Sequence, residues 1–374
     1  MKIIVAFDSF KGSIDAASAC RVVRQAILAR RKDAKVIDKP MADGGEGTTR
    51  ILMQALQGTW IPVQTMGPLP DVTVDSGYGW VEAMQTAIIE VAASSGLTLA
   101  PEDRRNPLLT TTFGTGELIR HAIGKGARKI LLAMGGSATV DGGTGAASAL
   151  GWQFLDDKGQ QLAPGGGPLT HLSAIVKPPP CTWPEVVALC DVQNPLLGKN
   201  GAAQVFGPQK GATPEMVRVL ETGLTRLSSI ISNQLGIRIE QPGAGAAGGF
   251  GAGCMAFFGG RLMSGIHVVM HECRIEEALA SADWVVTGEG SFDRQSLQGK
   301  VVSGIAGLAA RHGVRVAVLA GRVTLAESEY RKAGIEMAIP LQKPGMTTAE
   351  AMRDTEKLLK ERTVEWMELA VSCH

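Results

Sequence analysis

Short apolar segments that each end in an acidic, glycine-containing loop are the feature that most restricts the fold of this chain. The clearest is the segment 284–287, which reads as a buried strand, and a helical pattern follows over residues 301–312. Glu289 and Asp293 fall in the connecting loop, and Lys300 falls just before the helix. Because ligands bind at the carboxyl ends of strands in open α/β sheets, this loop is a candidate functional site.

The residue types in this loop suit a metal and a phosphate. The carboxylates of Glu289 and Asp293 are candidate Mg²⁺ ligands, and Lys300 adds positive charge beside the backbone amides of a helix start. Gly288 and Gly290 flank Glu289 and are predicted to contact a cofactor, because glycine lets the backbone approach an anion closely. The structural alternative is that turns need glycine and that acidic residues favour helix starts.

Two predicted strands near the amino terminus end in the same way. Asp8 follows the strand 3–7, with Lys11 close behind it, and Asp43 follows the strand 35–38 in a loop rich in glycine. A lysine at such a place can meet a phosphate or a substrate carboxylate, and an acid can bind a cation or accept a hydroxyl proton. A helix cap and a solvated lysine are the structural alternative. Three similar strand ends favour one shared site. Its candidate catalytic residues are Asp8, Lys11, Asp43 and Lys300.

A glycine-rich loop in the middle of the chain joins a predicted strand, 129–134, to a predicted helix, 144–150. Backbone amides in such a loop can cradle phosphates or a small carboxylate. The candidate cofactor-binding residues of this loop are Gly135, Gly136, Ser137 and Asp141. Asp191 ends another predicted strand, 186–190, and is a further candidate catalytic base or metal ligand. Each of these residues also fits a capped turn.

The order of the predicted elements indicates two α/β domains. Strands and helices alternate over residues 1–66, as in the βαβ units of a parallel sheet, and the strand predicted at 60–64 is assigned to that sheet. The alternation resumes near residue 284, and a length of 374 residues favours two cores over one. We therefore predict an α/β fold in which residues 1–66 and 263–374 form a parallel-sheet domain and residues 67–262 form a second, inserted domain.

The composition argues against several classes of function. A formal net charge of +1 gives no bulk attraction to nucleic acid or to an anionic membrane. The six cysteines form no CxxC pair, so reduced thiols in a cytoplasmic protein are expected. The uncharged stretch 241–260 is rich in glycine and contains a proline, so a buried loop and helix are predicted there rather than a membrane span.

Two common nucleotide motifs do not fit well. Residues 243–248 match the dinucleotide fingerprint G-x-G-x-x-G, but Pro242 precedes them and no acidic residue follows within about twenty positions. A Walker A loop is absent, because Lys300 is followed by valine. A nicotinamide oxidoreductase acting on a small hydroxy acid is therefore only a rival hypothesis, as is a non-catalytic protein that binds a nucleotide or an anion.

Seven sequence blocks, which run in order along nearly the whole chain, resemble the motifs of the bacterial glycerate kinase family of the first type. They are DSFKGS at 8–13, ADGGEGT at 42–48, GTGEL at 114–118, GGSAT at 135–139, FGPQKGA at 206–212, PGAGAAGG at 242–249 and TGEG at 287–290. The resemblance implies ATP-dependent phosphorylation of D-glycerate with Mg²⁺, typically at the 2-hydroxyl to give 2-phosphoglycerate. It also implies a flavodoxin-like or Rossmann-like domain that carries an inserted α/β domain, with the active site in the cleft between them.

Phosphoryl transfer requires a protein to align the reactants and to neutralise charge. The roles expected are Mg²⁺ binding for Glu289 and Asp293, with Asp191 as a further candidate, charge neutralisation for Lys11 and Lys300, and proton acceptance for either Asp43 or Asp8. No nucleic acid or membrane partner is expected, and a homodimer is left open.

The chain departs from the family pattern at a few positions. Phe7 stands where proline is usual, and Val140 stands where asparagine is common. Ser291 and Phe292 stand where Arg-Ile is frequent. If that arginine binds a phosphate or the glycerate carboxylate, its task passes here to Arg294 or to another basic residue.

Overall fold

The computed structural model describes residues 1–180, 182–297 and 299–372. The chain divides into two compact units. Unit 1 consists of Met1–Asp43 and Ile266–His374, and unit 2 consists of Gly44–Gly265. Unit 1 is thus built from the two ends of the chain, and unit 2 is built from one continuous segment.

The strands and helices of this part of the chain are numbered in chain order. The strands are β1 (Lys2–Phe7), β2 (Lys35–Asp38), β3 (Thr59–Met66), β4 (Thr73–Val81), β5 (Thr86–Glu90), β6 (Lys129–Ala133), β7 (Gln153–Leu155), β8 (Ala174–Val176), β9 (Glu185–Leu189), β10 (Arg261–Met263), β11 (Trp284–Gly288), β12 (Ser291–Phe292), β13 (Arg315–Ala320), β14 (Arg322–Val323) and β15 (Met337–Pro340). The helices are α1 (Ala16–Arg30), α2 (Thr48–Leu56), α3 (Ala92–Ser95), α4 (Phe113–Gly124), α5 (Thr144–Ala149), α6 (Ala202–Phe206), α7 (Pro214–Ile230), α8 (Ala246–Phe258), α9 (Gly265–Glu272), α10 (Ile275–Leu279), α11 (Val301–Arg311), α12 (Glu327–Lys332), α13 (Thr348–Arg353) and α14 (Thr355–Ser372). The predicted α/β fold class is confirmed.

The main sheet of unit 1 is parallel throughout, with the strand order β15-β13-β11-β1-β2. Its central strands are continuous apolar runs, as expected for strands that are covered on both faces. Helices α1 and α14 share one buried cluster with β1 and β11, in which the rings of Trp284 and Trp366 pack edge to face at 5.5 Å. Helix α11 packs against β11 and β13. This packing fixes the carboxyl ends of all five strands along one edge.

The main sheet of unit 2 has the order β10-β9-β6-β5-β4-β3. Strands β10, β9, β6 and β5 are parallel, and β4 and β3 continue the sheet in antiparallel fashion. The strand that the sequence assigned to the first parallel sheet is β3, and that assignment was wrong. It pairs with β4 along its whole length, from Thr59 opposite Trp80 to Met66 opposite Thr73.

The division of the chain differs from the sequence prediction for the same reason. The units divide after Asp43 and after Gly265, whereas the predicted boundaries were 66/67 and 262/263. Most of the difference is the segment 44–66, which contains α2 and β3. Local hydrophobic periodicity identifies such elements but does not say which of two sheets a strand will join. Pro62 in β3 agrees with a position at the sheet edge.

The uncharged stretch 241–260 forms a buried turn and helix α8, as predicted. Gly248 in this turn has a φ of +68°, and a Cβ atom there would lie 1.9 Å from the carbonyl oxygen of Thr139. The fingerprint-like glycines therefore allow close packing inside unit 2. Within the described ranges, the helices are too short or too polar for any of them to cross a membrane.

Candidate active site

Two neighbouring strand ends begin the site in unit 1. Strands β1 and β11 run side by side, so that Phe7 is level with Gly288, and the amide of Asp8 donates to the carbonyl oxygen of Gly288 at 3.0 Å. A cavity of about 310 Å³ opens where these strands end. The residues predicted from the sequence that line it are Asp8, Lys11, Asp43, Glu289, Gly290, Asp293 and Lys300. The structure therefore brings together four carboxylates and two lysines from loops far apart in the chain.

Asp8 has the least exposed carboxyl group among the aspartates of this cavity. The residue is 8% exposed, and its Oδ1 accepts a 2.6 Å hydrogen bond from the amide of Ser9. Burial, together with the charges of Asp43 and Glu289, raises the pKa of Asp8 to about 7, although the Ser9 hydrogen bond and the Lys11 charge act in the opposite direction. Asp8 therefore takes up or releases a proton near neutral pH, which suits a general base.

Glu289 is buried at the end of β11. Its side chain is 7% exposed, and Oε1 has no hydrogen-bond partner among the described residues. Burial raises the pKa of Glu289, and the charges of Asp293 and Asp43 add to that effect, while Ser296 and Lys300 lower the pKa. A buried, unpartnered carboxylate oxygen costs free energy unless a cation or a donor satisfies it. Glu289 is thus arranged to receive a ligand.

Asp293 and its loop are held by local hydrogen bonds. Oδ1 of Asp293 accepts from the amide of Gln295 at 2.8 Å, and the amide of Asp293 donates to Oγ of Ser296 at 3.1 Å. The short strands β12 and β14 pair in parallel, and the amide of Gly321 donates to the carbonyl oxygen of Glu289 at 3.0 Å. These bonds fix the acidic loop against the end of β13.

The same pairing brings Arg322 to the cavity, which the sequence reasoning did not anticipate. The amide of Arg322 donates to the carbonyl oxygen of Gly290 at 3.2 Å. Arg294, which the sequence suggested as a replacement cation, instead forms an exposed ion pair with Glu329 at 3.0 Å and does not line this cavity. Arg322 lies two residues beyond the end of β13, so it also follows a strand of the parallel sheet and could have been predicted from the sequence.

Apolar residues from the C-terminal part of the chain complete the cavity. Leu341 follows β15 at the same sheet edge, and Ala351 and Met352 belong to α13. Ser13 joins this part to the first loop, because its Oγ lies 2.6 Å from the carbonyl oxygen of Met352. No motif in the sequence pointed to α13.

Gly288 serves the packing of the sheet. It is buried in β11, and a Cβ atom there would lie 1.8 Å from the carbonyl oxygen of Leu319 in β13. Only glycine fits between these strands. Gly290, in contrast, is exposed and lines the cavity.

The remaining predicted residues lie in unit 2. Gly135 and Gly136 follow β6, and Gly136 is exposed with a φ of +72°. Asp191 follows β9, and its Oδ1 accepts a 2.6 Å hydrogen bond from Oγ of Ser264. A Cβ atom on Gly135 would lie 2.5 Å from Cα of Gly45, so the loop after β6 packs directly on the loop that follows Asp43. These loops gather at the carboxyl edge of the second sheet.

Asp141 is fully buried in unit 2. Its carboxylate accepts hydrogen bonds from the amides of Thr112, Gly143 and Gly145 at 2.8, 3.1 and 3.2 Å, and also from Oγ1 of Thr112. Burial raises its pKa, while these donors lower it. The bonds hold the glycine-rich loop in place, which is a structural role for Asp141.

Lys210 lies beneath the same loop and was missed as a candidate. It is 3% exposed, and its Nζ donates to Oγ of Ser137 and to the carbonyl oxygen of Thr139, both at 2.8 Å. Burial lowers the pKa of Lys210 to about 7, while the charge of Asp141 raises it. The signal was present, since Lys210 lies in the sequence block 206–212, but that block has no strand end to suggest a site.

The fold and the unit 1 cavity define an α/β protein with a carboxylate and lysine site of the kind used for phosphoryl transfer. The family model described as "Glycerate kinase family" matches residues 3–371. The chain is 41% identical to the glycerate kinase of Halalkalibacterium halodurans over 363 residues, covering 96% of this chain and 95% of that protein. It is 40% identical to the glycerate 2-kinase of Escherichia coli K12 over 357 residues, covering 94% of this chain and 93% of that protein.

A crystal structure of a protein assigned to the same family has a similar fold. The protein assigned as glycerate kinase 2 from Salmonella typhimurium LT2 superimposes with a TM-score of 0.85 at 38% identity, covering all of this chain and 98% of that one. This chain belongs to the glycerate kinase family. The resemblance carried by the seven sequence blocks and the predicted class of enzyme, a phosphotransferase of that family, are confirmed.

Proposed function

We propose that this protein transfers the γ-phosphoryl group of ATP to D-glycerate, with Mg²⁺, and that the product is 2-phosphoglycerate. One observation carries the proposal: in a chain of the glycerate kinase family, Asp8, Asp43 and Glu289 share one cavity with Lys11 and Lys300. A relative at 40% identity is a glycerate 2-kinase, which favours the 2-hydroxyl over the 3-hydroxyl.

Asp8 is the proposed base. The 2-hydroxyl oxygen of glycerate forms a bond to the γ-phosphorus, the bond between that phosphorus and the bridging oxygen of ADP breaks, and the hydroxyl proton passes to the Asp8 carboxylate. A pKa of about 7 lets Asp8 accept this proton near neutral pH. Asp43, whose charge raises that pKa, helps to keep the base strong. Lys11 and Lys300 neutralise charge on the transferring group.

The residues present fit a bound Mg²⁺ ion. Oε1 of Glu289 is buried without a hydrogen-bond partner among the described residues, and Asp293 lines the same cavity. In the part of the chain that the structure describes, no three histidine, cysteine or acidic side chains are grouped closely enough to bind a metal by themselves. That agrees with magnesium, which commonly uses one or two carboxylates together with phosphate oxygens and water. Glu289 and Asp293 would hold the ion, which supplies charge neutralisation on the phosphates.

Unit 2 is proposed to take part through its glycine-rich loops. Backbone amides at Gly135 and Gly136 suit a phosphate or the glycerate carboxylate, and Asp191 stays a candidate ligand there. The family resemblance implies an active site in an interdomain cleft, and the proposal keeps that expectation. The cytoplasmic location and the homodimer stay predictions from the sequence.

The product of the reaction tests the proposal. Purified protein is incubated with ATP, Mg²⁺ and D-glycerate, and phosphorus NMR follows the appearance of ADP and of a phosphate ester. The proton coupling of the ester distinguishes position 2 from position 3. We expect 2-phosphoglycerate from the wild type and at least about a hundredfold less from Asp8→Asn. Formation of 3-phosphoglycerate would correct the position, and no ester at all would reject the kinase.

The rival oxidoreductase is checked in the same preparation. D-Glycerate with NAD or NADP is expected to give no absorbance change at 340 nm, about the maximum of the reduced nicotinamide. The glycines of residues 243–248, which suggested that alternative, are buried in the packing of unit 2.

A further inference from the structure

The cavity of unit 1 is chemically divided. The loops after β1, β2 and β11 supply its carboxylates and lysines. A second part, which we name the apolar wall, consists of Leu341, Ala351 and Met352, and the polar side chains of Gln342, Thr348 and Thr355 line the cavity beside it. In the sheet order, β15 lies two strands from β11 and three from β1, and Leu341 follows β15 at the same edge. The cavity of about 310 Å³ offers more room than a three-carbon acid needs.

Met352 is the most exposed residue of the apolar wall. Its side chain is 39% exposed although it lines a cavity, whereas Ala351 is 8% and Leu341 is 1% exposed. A flat ring covering Met352 would remove apolar surface from water and would contact its polarizable sulfur. Leu369 in α14 is 49% exposed and does not line this cavity.

Hydrogen bonds fix the backbone of the apolar wall at Met352 and at the start of α13. Oγ of Ser13 lies 2.6 Å from the carbonyl oxygen of Met352 and 2.7 Å from Oγ1 of Thr355. Helix α13 begins with a capping box, in which the amide of Thr347 donates to Glu350 and the amide of Glu350 donates to Oγ1 of Thr347. A Cβ atom on Gly12 would lie 2.9 Å from Cε of Met352, so the wall also contacts the loop after β1. Binding to a preorganised wall costs little ordering entropy.

We infer that the apolar wall is the subsite for the purine base of the nucleotide, with the phosphates directed toward Lys300 and the carboxylates. This inference rests on the proposed function. Each carbon of glycerate bears a polar group and the triphosphate is charged, so the base is the part of the reactants with an apolar face. The cavity of about 310 Å³ accordingly offers a charged part for phosphate and metal and an apolar part for a ring.

Binding measurements on the full chain test the inference. Calorimetry compares ADP with Mg²⁺ against inorganic tripolyphosphate with Mg²⁺, a probe that has phosphates and no base. The variants are Met352→Ser, Met352→Leu as the conservative replacement and Leu369→Ser as a matched control. We expect Met352→Ser to raise the Kd for ADP about fivefold and to leave that for tripolyphosphate unchanged. Met352→Leu and Leu369→Ser are expected to bind both probes like the wild type.

Steady-state kinetics separates this inference from the proposed function. We expect Met352→Ser to raise the KM for ATP by a similar factor and to leave the KM for D-glycerate within about twofold. Unchanged ADP binding by Met352→Ser, or equal weakening of ADP and tripolyphosphate, would overturn the base subsite even if 2-phosphoglycerate forms. Selective weakening of ADP in a protein that makes no phosphoglycerate would support the subsite and reject the kinase assignment.

Discussion

Nζ of Lys210 donates a hydrogen bond to Oγ of Ser137 at 2.8 Å, across 73 residues of sequence. Its second acceptor is the carbonyl oxygen of Thr139. A lysine that is 3% exposed pays a large desolvation cost when it is charged, and the nearby Asp141 offsets only part of that cost. The glycine-rich loop of unit 2 is therefore held by hydrogen bonds from a lysine whose pKa is lowered.

The lowered pKa of Lys210 predicts a pH-dependent contribution to the free energy of unfolding. The pKa of Lys210 is about 7 in the folded protein and lies near 10.5 in an unfolded chain. Between these values the unfolded state binds the extra proton, so the Lys210 contribution to the free energy of unfolding rises as the pH rises above 7. The free energy of unfolding of Lys210→Met minus that of the wild type is therefore expected to be higher at pH 6 than at pH 9. The expected change in this difference is on the order of 2 kcal/mol. Denaturant unfolding at both pH values measures this difference, with Lys158→Met as an exposed control. A difference that does not change with pH would contradict the prediction.

Asp8 predicts the opposite trend with pH. Its pKa is about 7 in the folded protein against an ordinary value of 3.8, so the folded state holds the proton longer than the unfolded state. The Asp8 contribution to the free energy of unfolding therefore falls as the pH rises from about 4 to about 7, and it stays unfavourable above 7. Asp8→Asn removes this cost. We expect the Tm of Asp8→Asn to exceed that of the wild type by several degrees at pH 8, at about 2–4 °C per kcal/mol, and by less at pH 4.5.

The measurement is thermal unfolding of metal-free protein in the presence of a chelator. Asp103→Asn, which changes an exposed aspartate, serves as the control and should follow the wild type at both pH values. An Asp8→Asn variant that is equally shifted at pH 4.5 and pH 8 would show that Asp8 is not the source of the pH dependence. We expect Asp8→Asn to be more stable than the wild type and to lose turnover. Both effects follow if the site holds carboxylates that repel one another because the reaction needs them.

Glu289 and Asp293 are expected to differ in their sensitivity to Mg²⁺. Glu289 is buried, and its Oε1 has no hydrogen-bond partner among the described residues, so Glu289→Gln removes the buried charge that is proposed to bind Mg²⁺. Asp293 is less buried, and its Oδ1 already accepts a hydrogen bond from the amide of Gln295. We predict that Glu289→Gln lowers kcat by about a hundredfold or more at saturating Mg²⁺. Asp293→Asn should mainly raise the Mg²⁺ concentration needed for half-maximal rate.

A titration of the rate with Mg²⁺ at saturating ATP and D-glycerate compares these variants. Glu327→Gln, an exposed change outside the cavity, should behave like the wild type. Near-normal turnover of Asp293→Asn at every Mg²⁺ concentration would remove Asp293 from the metal site. Near-normal turnover of Glu289→Gln would remove Glu289 as well.

The sequence predicted the part of the site that depends on neighbouring parallel strands. Asp8 and Glu289 follow strands that pair directly, and a strand-end acid is recognisable without knowing the distance between the strands in the chain. Lys210 could not be found in this way, because it lies in a short turn and reaches Ser137 only through the packing of unit 2. Strand β3 was placed in the wrong sheet because its alternation of side chains is the same in either sheet. The apolar wall carries no motif, since Leu341 after β15 and the two residues of α13 meet only when the C-terminal helices pack beside the first loop.

Arg322 and Arg294 are two candidates for the role of the arginine that is frequent in the family at the position of Ser291. Variants of both residues can decide between them. Arg322 lines the cavity and its amide is bonded to Gly290, whereas Arg294 pairs with Glu329 at 3.0 Å outside it. We expect Arg322→Met to lower kcat/KM for ATP by roughly tenfold to a hundredfold, because a guanidinium near the phosphates neutralises their charge. Arg294→Met should leave kcat/KM within about twofold, since an exposed ion pair contributes little. Both variants are compared in the same assay, and Arg322→Lys separates the need for a charge from the need for a planar guanidinium. A loss confined to Arg294→Met would mean that Arg294 leaves Glu329 and turns to the phosphates when the nucleotide binds.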